Sequence, residues 1–284
     1  MDVIAVVRKN DERSKLLKEY GVMDIVVCDL SEYVSLPDLI NSRTADAFYH
    51  FAWEGSAGAK RADEDVQIKN IKYLCDAVRA CAQIGCKTFV FASSVMEYEI
   101  DAVMKTESSP GINSLYCSAK LAANYMARTI AASFGINYIR GVISNIYGAG
   151  ELSPRLINTS LRKLLNGERC SFSSGDQLYD FIYITDAAKA FYYIGERGIT
   201  NRTYYIGSLN PQSLKNYLIE MRNCVNPQIE IGLGELPFNG ISLSYNEFDI
   251  YAVKNDTGFE PQVSFSEGIR KTIDWIKKEN DNGI

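Results

Sequence analysis

Continuous apolar runs, rather than alternating ones, dominate the first half of the chain. Val3 to Val7 (VIAVV), Asp24 to Cys28 (DIVVC), Ala45 to Ala52 (ADAFYHFA), Lys87 to Phe91 (KTFVF) and Asn137 to Ser144 (NYIRGVIS) are short and rich in β-branched and aromatic residues. Such runs predict strands covered on both faces, as in a parallel sheet. Between them the periodicity is helical. Asp11 can cap a helix through Tyr20 that Gly21 stops, and a short helix near 31 to 42 carries Pro37 in its first turns. Asp63 caps a long helix from about Asp65 to Ile84 that closes at Gly85. A further helix carries Tyr116 and Lys120, extends to about Phe134 and stops at Gly135, whereas the polar segment 97 to 113 reads as a loop. Strand and helix alternate five times, which predicts an α/β fold with a doubly wound, Rossmann-type parallel sheet.

Beyond Asn145-Ile146-Tyr147-Gly148 the alternation fades. Helices are expected at 153 to 166, 185 to 195, 213 to 224 and 266 to 279, with short strands near 178 to 184, 203 to 206 and 229 to 232. Leu233 to Glu247 is loop-like. The expected organisation is a sheet domain over 1–150, to which 178–207 returns, and a small C-terminal lobe formed by 151–177 and 208–284. That lobe would lie over the end of the sheet, where α/β folds bind ligands.

Composition narrows the classes. With 284 residues, 46% hydrophobic and 23% charged, the chain can bury a sizeable core as a soluble globular protein. A net charge of -5 without any Lys/Arg-rich run argues against a nucleic-acid partner. No apolar run approaches the ~20 residues that span a bilayer, and the N-terminus lacks the order of a signal peptide, so no membrane partner and a cytoplasmic location are expected. Seven scattered cysteines without a C-x-x-C read as small buried hydrophobes in a reducing compartment, not as a disulfide framework or a zinc site. The single histidine, His50, sits in an apolar strand and is read as structural. No metal site is expected.

Four candidates for chemistry remain. Tyr116 and Lys120 stand four residues apart, on one face of a helix. A phenol titrates near ~10, but a neighbouring cation favours phenolate, making Tyr116 a candidate acid/base; a surface pair is the bland alternative. Ser93-Ser94 stands just past the end of a strand, where Ser94 can hydrogen-bond a hydroxyl or carbonyl that Tyr116 protonates or deprotonates, or can simply form a polar turn. Asn70 lies among Val66, Ile68, Ile71 and Leu74, either buried and bonded to backbone or water beside the site, or exposed. Arg8-Lys9 follows the first strand, where an arginine accommodates the 2'-phosphate of a dinucleotide; the pair favours NADP over NAD, with solvated charges as the alternative.

Ser94, Tyr116 and Lys120, in this order and setting, resemble the extended short-chain dehydrogenase/reductase superfamily in its nucleotide-sugar epimerase/dehydratase branch. Phe48 to Ala52 resembles that branch's strand ending in His-Leu-Ala, and Phe89 to Ser94 its catalytic-serine strand. Arg140 through Asn145-Ile146-Tyr147-Gly148 and Asp180 through Asp186 resemble two later elements. The resemblance implies an NAD(P)-dependent nucleotide-sugar epimerase or 4-keto reductase. Tyr116 would be the acid/base, Lys120 would lower its pKa and hold the nicotinamide ribose, and Ser94 would orient the reacting oxygen. Arg8, Lys9, Asp29 and Leu30 would meet the adenosine end, while Phe51, Ala52, Asn70 and Ser93 would line the cofactor channel. Ser94, Met96, Asn145 and Asp180 would meet the substrate. Relatives commonly pair through two long helices, here about 65 to 84 and 114 to 133, so a homodimer is implied.

The departures are equally specific. The branch opens with a strand and a Gly-x-x-Gly-x-x-Gly turn that holds the pyrophosphate. Val3 to Val7 matches its second strand, so that first βα unit, roughly 25 to 30 residues, has no counterpart, which predicts two unpaired strand edges. Gly55 and Gly58 have the first spacing, but Arg61 stands where a third glycine would be. Glu99 and Tyr179 replace a usual glycine and arginine, and Ser94-Val95-Met96 stands where dehydratases resemble Thr-Asp-Glu. The alternative to an enzyme is a catalytically silent remnant, or an NADP-sensing binding protein of the same fold.

Overall fold

Each of the five apolar runs forms a strand in the computed structural model, which describes residues 2–40, 43–106, 109–112 and 114–282. In chain order the first elements are β1 (Ile4–Val7), α1 (Glu12–Glu19), β2 (Asp24–Val27), α2 (Leu36–Leu39), β3 (Ala47–His50) and α3 (Glu64–Ile84). Then come β4 (Thr88–Ser94), α4 (Tyr98–Thr106), α5 (Ser114–Ser133), β5 (Asn137–Ile143), β6 (Asn145–Tyr147), α6 (Leu156–Leu165), β7 (Cys170–Ser171) and β8 (Leu178–Tyr179). The chain closes with β9 (Phe181–Tyr183), α7 (Ile184–Arg197), β10 (Thr203–Ile206), β11 (Gln212–Ser213), α8 (Leu214–Val225), β12 (Ile231–Gly232), α9 (Ala252–Thr257) and α10 (Phe265–Asn282). Two compact units divide these elements: one runs through Ala92 and takes in Gly111–Arg140 and Thr200–Arg202, the other holds Ser93–Pro110, Gly141–Ile199 and the chain from Thr203 on.

Two expectations need correction. Segment 97 to 113 is not all loop, because α4 occupies its first half. Its polar residues hid an amphipathic turn: Val103 is buried and Lys105 pairs with Asp101 at 2.6 Å, one turn earlier. Ser93 and Ser94, expected past the end of a strand, are instead the last two residues of β4.

In the first unit the sheet is in two pieces. β1 pairs in parallel with β2, Ile4 lying opposite Asp24. β3 pairs in parallel with β4, His50 lying opposite Phe91, and Asn137 N at the start of β5 donates to Lys87 O at 2.9 Å. Among the described residues β1 and β3 each have a strand on one side only. The consequence is visible in burial: Val6 is 36% exposed, although the run around it is apolar enough for a covered strand.

The other side of this unit is tightly closed. Asp63 caps α3 by accepting from Val66 N at 3.0 Å, and Gly85 ends it in the left-handed region with φ 85°. Ala123, Ala127 and Ala131, spaced one turn apart on α5, share a core cluster with Leu74, Ala77, Val78 and Cys81 of α3, and all seven are 0% exposed. Single-carbon side chains at four-residue spacing let two helices approach closely along their length.

The second unit has its own core, built by Tyr147, Leu161, Phe181, Tyr217, Leu218, Ile269 and Ile276. β6 and β9 pair in parallel at its centre, with Asn145 opposite Phe181. Gly141 lies where a Cβ would meet the Phe191 ring at 2.5 Å, so β5 can lie against α7 only with glycine there.

The α3/α5 contact yields a direct test. Ala127→Leu overpacks it and is expected to cost about 1–3 kcal/mol of unfolding free energy. Urea denaturation measures that cost; an unchanged value would mean that the two helices have room to spare.

Candidate active site

The first turns of α5 bring Tyr116 and Lys120 onto one buried face, Tyr116 6% and Lys120 4% exposed. Lys120 Nζ donates to Ala92 O on β4 at 2.8 Å. The ammonium also sits 4.2 Å from the Trp53 ring, 4.7 Å from Phe91 and 6.0 Å from Tyr116. One carbonyl and three ring faces therefore replace the water that a buried ammonium loses.

Tyr116 is enclosed by the segment between β3 and α3. Trp53 meets the Tyr116 ring edge-on at 6.1 Å, and the Arg61 guanidinium lies 4.5 Å from the centre of the same ring. Two buried amides of α3 hold this segment in place. Gln67 accepts from Trp53 Nε1 at 2.9 Å and donates to Lys60 O at 2.9 Å and Gly55 O at 3.2 Å. Asn70 accepts from Glu54 N at 3.0 Å and donates to Glu54 O at 2.8 Å and Val66 O at 3.0 Å. Of the two readings of Asn70, burial against backbone is the one the structure has. Gly55 adopts φ 69°, and a Cβ there would lie 2.6 Å from Lys60 O, so the turn requires glycine.

His50, at the end of β3, lies among the rings of Tyr33, Phe48, Phe89 and Phe91 at centroid distances of 5.7 to 6.5 Å. Neither ring nitrogen has a hydrogen-bond partner among the described residues. Burial, and then the Lys120 charge, push the imidazole down to about 3 from an ordinary 6.5, so it is neutral and acts as an apolar ring.

The other expected cofactor residues lie at the strand ends. Arg8 and Lys9 are exposed after β1, with Lys9 3.4 Å from Asp11. Asp29 accepts from Ser31 N at 3.0 Å and Ser31 Oγ at 2.8 Å, capping a turn that contains Leu30. These bonds to Ser31, with Arg8 contributing charge, hold the Asp29 carboxyl below its usual range. Phe51, 58% exposed, and Ala52 face solvent just after β3.

In the second unit Ser94 is half-buried, and its Oγ accepts from Met96 N at 3.2 Å. Ser93 is buried and its hydroxyl donates to the equally buried Glu97. Met96 packs against the cluster of Val95, Val142, Tyr205 and Tyr245. Asn145 Nδ2 donates to Asp180 O at 3.3 Å. Asp180 itself is 0% exposed, and its carboxylate accepts from Tyr205 OH at 2.7 Å and from Ser208 N at 3.0 Å. That carboxylate braces the interior of its unit and presents no face to a ligand. Burial raises its pKa against the pull of these donors.

The site contains residues that the sequence did not single out as functional. Trp53 and Gln67 carried no motif, and Arg61 was noticed only as a missing glycine. For a nicotinamide dinucleotide, implied by the resemblance, Arg8 and Asp29 at strand ends offer polar groups for the adenosine end, and the buried Tyr116 and Lys120 pair offers them for the nicotinamide end. The dinucleotide does not fit at its phosphates. Helix α1 is the first to follow a strand, and its N-terminus carries the acid Asp11, which accepts from Ser14 N at 3.1 Å where an anion would otherwise bind. Among the described residues no group of three or more His, Cys, Asp or Glu is placed to hold a metal, and no helix is long and apolar enough to cross a membrane.

Known proteins share this fold. The model of the NAD dependent epimerase/dehydratase family matches residues 1–207. A human protein, dTDP-D-glucose 4,6-dehydratase, is 24% identical over 287 residues, covering 96% of this chain and 80% of its own length. The UDP-glucose 4-epimerase of Thermotoga maritima, solved with UDP-glucose, superposes with a TM-score of 0.76 at 16% identity, covering 99% of this chain and 100% of the other. RMD from Pseudomonas aeruginosa, solved with NADPH, gives 0.75 at 19% identity, covering 98% and 100%. At such identities the two superpositions establish the fold.

The buried imidazole predicts a pH dependence with a definite sign. His50 takes up a proton near 6.5 when unfolded but only near 3 when folded, so stability is intact above 6.5 and falls as the pH drops toward 3. Between pH 6.5 and 5, above the ordinary carboxylate range, the slope should approach about 1.4 kcal/mol per pH unit at the acid end. Urea unfolding across that window should show a clear slope in the wild type and a flatter one in His50→Gln; equal slopes would mean that His50 is not held neutral.

Proposed function

This chain belongs to the NAD dependent epimerase/dehydratase family, and from that premise we propose that it acts on a nucleotide-linked sugar, as a C4 epimerase or a 4-keto reductase. The observation that carries the proposal is the buried Tyr116 and Lys120 pair, whose ammonium stands 6.0 Å from the phenol ring. In this reading Tyr116 exchanges a proton with the sugar hydroxyl or keto oxygen. Lys120 favours the phenolate and binds the cofactor ribose, and Ser94 orients the same oxygen. Asn145 and Met96 would contact the nucleotide sugar, while Asp180 and Ser93 act from within by fixing the backbone around them. The nicotinamide cofactor, when bound, supplies the hydride acceptor or donor.

Several observations support the finer parts of this reading. Relatives named for dTDP-glucose and UDP-glucose favour a nucleoside diphosphate sugar. Ser94-Val95-Met96 offers no second acid at the positions where dehydratases resemble Asp-Glu, which favours epimerase or reductase chemistry over loss of water. Arg8 beside Asp29 favours NADP over NAD. We place the dinucleotide-binding part in 1–150 with 178–207, and the substrate lobe in 151–177 and 208–284. Ile68, Tyr125 and Met126 leave an apolar face on α3 and α5, each more than half exposed, which suits pairing with a second copy of the chain. The absence of a membrane-spanning helix among the described residues is compatible with a cytoplasmic enzyme.

One specific observation favours a second reading. The acid at the α1 N-terminus and the one-sided strands β1 and β3 deprive a dinucleotide's phosphates of their usual cradle. A catalytically silent binding protein would have this form, whereas an NADP-sensing protein of the same fold would bind NADP without turnover.

Two measurements separate the readings. Fluorescence titration with NADPH and NADH should show saturable binding, tighter for NADPH, if the enzyme reading holds; no saturation with either supports the silent form. Turnover on a panel of UDP-, dTDP-, CDP- and GDP-linked sugars and 4-keto sugars should then fall by a factor on the order of 10² or more in Tyr116→Phe. Undiminished turnover in that variant would remove Tyr116 from the mechanism.

A further inference from the structure

Two Asn-Gly pairs lie within the described residues, Asn166-Gly167 and Asn239-Gly240, and the fold treats them in opposite ways. An asparagine followed by glycine is open to attack by its own backbone. The nitrogen of the next residue can reach the side-chain amide carbon, and glycine puts no Cβ in the way and leaves the chain free to turn into the attacking geometry. The outcome depends on whether the structure lets the two groups move together.

Asn166-Gly167 is held. Asn166 closes α6 with φ -82° and ψ 2°, its N donating to Arg162 O at 3.3 Å and Lys163 O at 3.1 Å. Gly167 N, the nucleophile of such an attack, donates to Leu164 O at 3.0 Å, and Asn166 Nδ2 donates to Glu168 Oε1 at 3.4 Å. Asn239-Gly240 has no such restraint. Both residues are exposed, neither belongs to a helix or strand, and among the described residues neither makes a hydrogen bond. The chain is fixed on each side of the pair: Glu235 N and Leu236 N donate to Phe172 O at 3.0 and 3.1 Å, and Tyr245 is buried in a cluster with Val95, Val142 and Tyr205. A loose stretch thus sits between two anchors of the second unit.

We propose that Asn239 is a site of spontaneous modification, which converts it to aspartate or isoaspartate. Gly240 N bonds to Asn239 Cγ and gives up its proton, the Cγ–Nδ2 bond breaks, and ammonia leaves behind a five-membered imide. Water then opens the imide at one of its two C–N bonds. Opening at Cγ restores the ordinary backbone with an aspartate side chain; opening at the Asn239 carbonyl carbon leaves the chain running through the former side chain, as isoaspartate. Either product adds one carboxylate and takes the formal net charge from -5 to -6. The isoaspartate form also lengthens the backbone by one carbon between Leu236 and Tyr245.

Peptide mapping by mass spectrometry, after incubating the full chain in mildly alkaline buffer with and without urea, tests this without any assay of activity. In the folded chain Asn239 should convert at least about tenfold faster than Asn166, the weight of breaking the hydrogen bonds that hold the Asn166 pair. An isoaspartyl methyltransferase with its methyl donor should label the Asn239 peptide alone of the two. In urea those bonds are gone and the two rates should converge. Conversion of Asn239 no faster than that of Asn166 in the folded chain would overturn the proposal. A gap of the same size in urea would assign the difference to the flanking residues and overturn its structural basis.

Discussion

A lysine ammonium kept out of water governs the first unit. Removing such a charge from solvent costs several kcal/mol unless new partners replace the lost hydration. Ala92 O, the Trp53 ring and the Phe91 ring are those partners for Lys120, and each constrains a different part of the chain. Ala92 and Phe91 fix where β4 must end relative to α5. Trp53 must stay over the ammonium, so the segment after β3 cannot wander, and Gln67 and Asn70 of α3 hold it there. His50 then lies between apolar rings and a fixed positive charge, and can only be neutral. The same network that buries Tyr116 and Lys120 therefore holds His50 neutral.

How much of this was legible follows from the range of each interaction. The five strands were readable because covered strands need consecutive apolar residues, a property of neighbours in sequence. The pairing of Tyr116 with Lys120 was readable for the same reason, since helical geometry alone puts residues four apart on one face. Trp53 over Lys120 was not, because the two come together only when the segment after β3 folds across α5. Asn70 was half-readable: its apolar neighbours announced burial, but its partner Glu54 is supplied by that segment. Helix α4 escaped because half its stability signal is an ion pair on an otherwise polar run. Asp180 is placed by partners the sequence did not announce: Tyr205 and Ser208, distant in sequence, donate to its carboxylate in the interior.

Fold and cofactor phosphates make different demands on the same strands. The covering expected for VIAVV is only partly there, with Val6 more than a third exposed and β1 paired on one side. In an open α/β sheet the turn after a central strand serves both purposes at once. Its strand fills the sheet and its glycines bring a helix N-terminus to the phosphates. Among the described residues β1 and β3 share no neighbouring strand. Asp11 at the head of α1 cannot substitute for the second, because a carboxylate there satisfies the helix's own amides and repels an anion.

The surroundings of Tyr116 and Lys120 are built from other elements. The elements that arrange Arg61, Tyr116 and Lys120 are α3, α5 and the segment after β3, all tied to β4 and to the alanine-lined contact between the two helices. The hydrogen bonds described above for them run to β4 and the segment after β3. The packing around Tyr116 and Lys120 and the capped N-terminus of α1 are thus separate pieces of structure. Order in one is therefore no measure of the other.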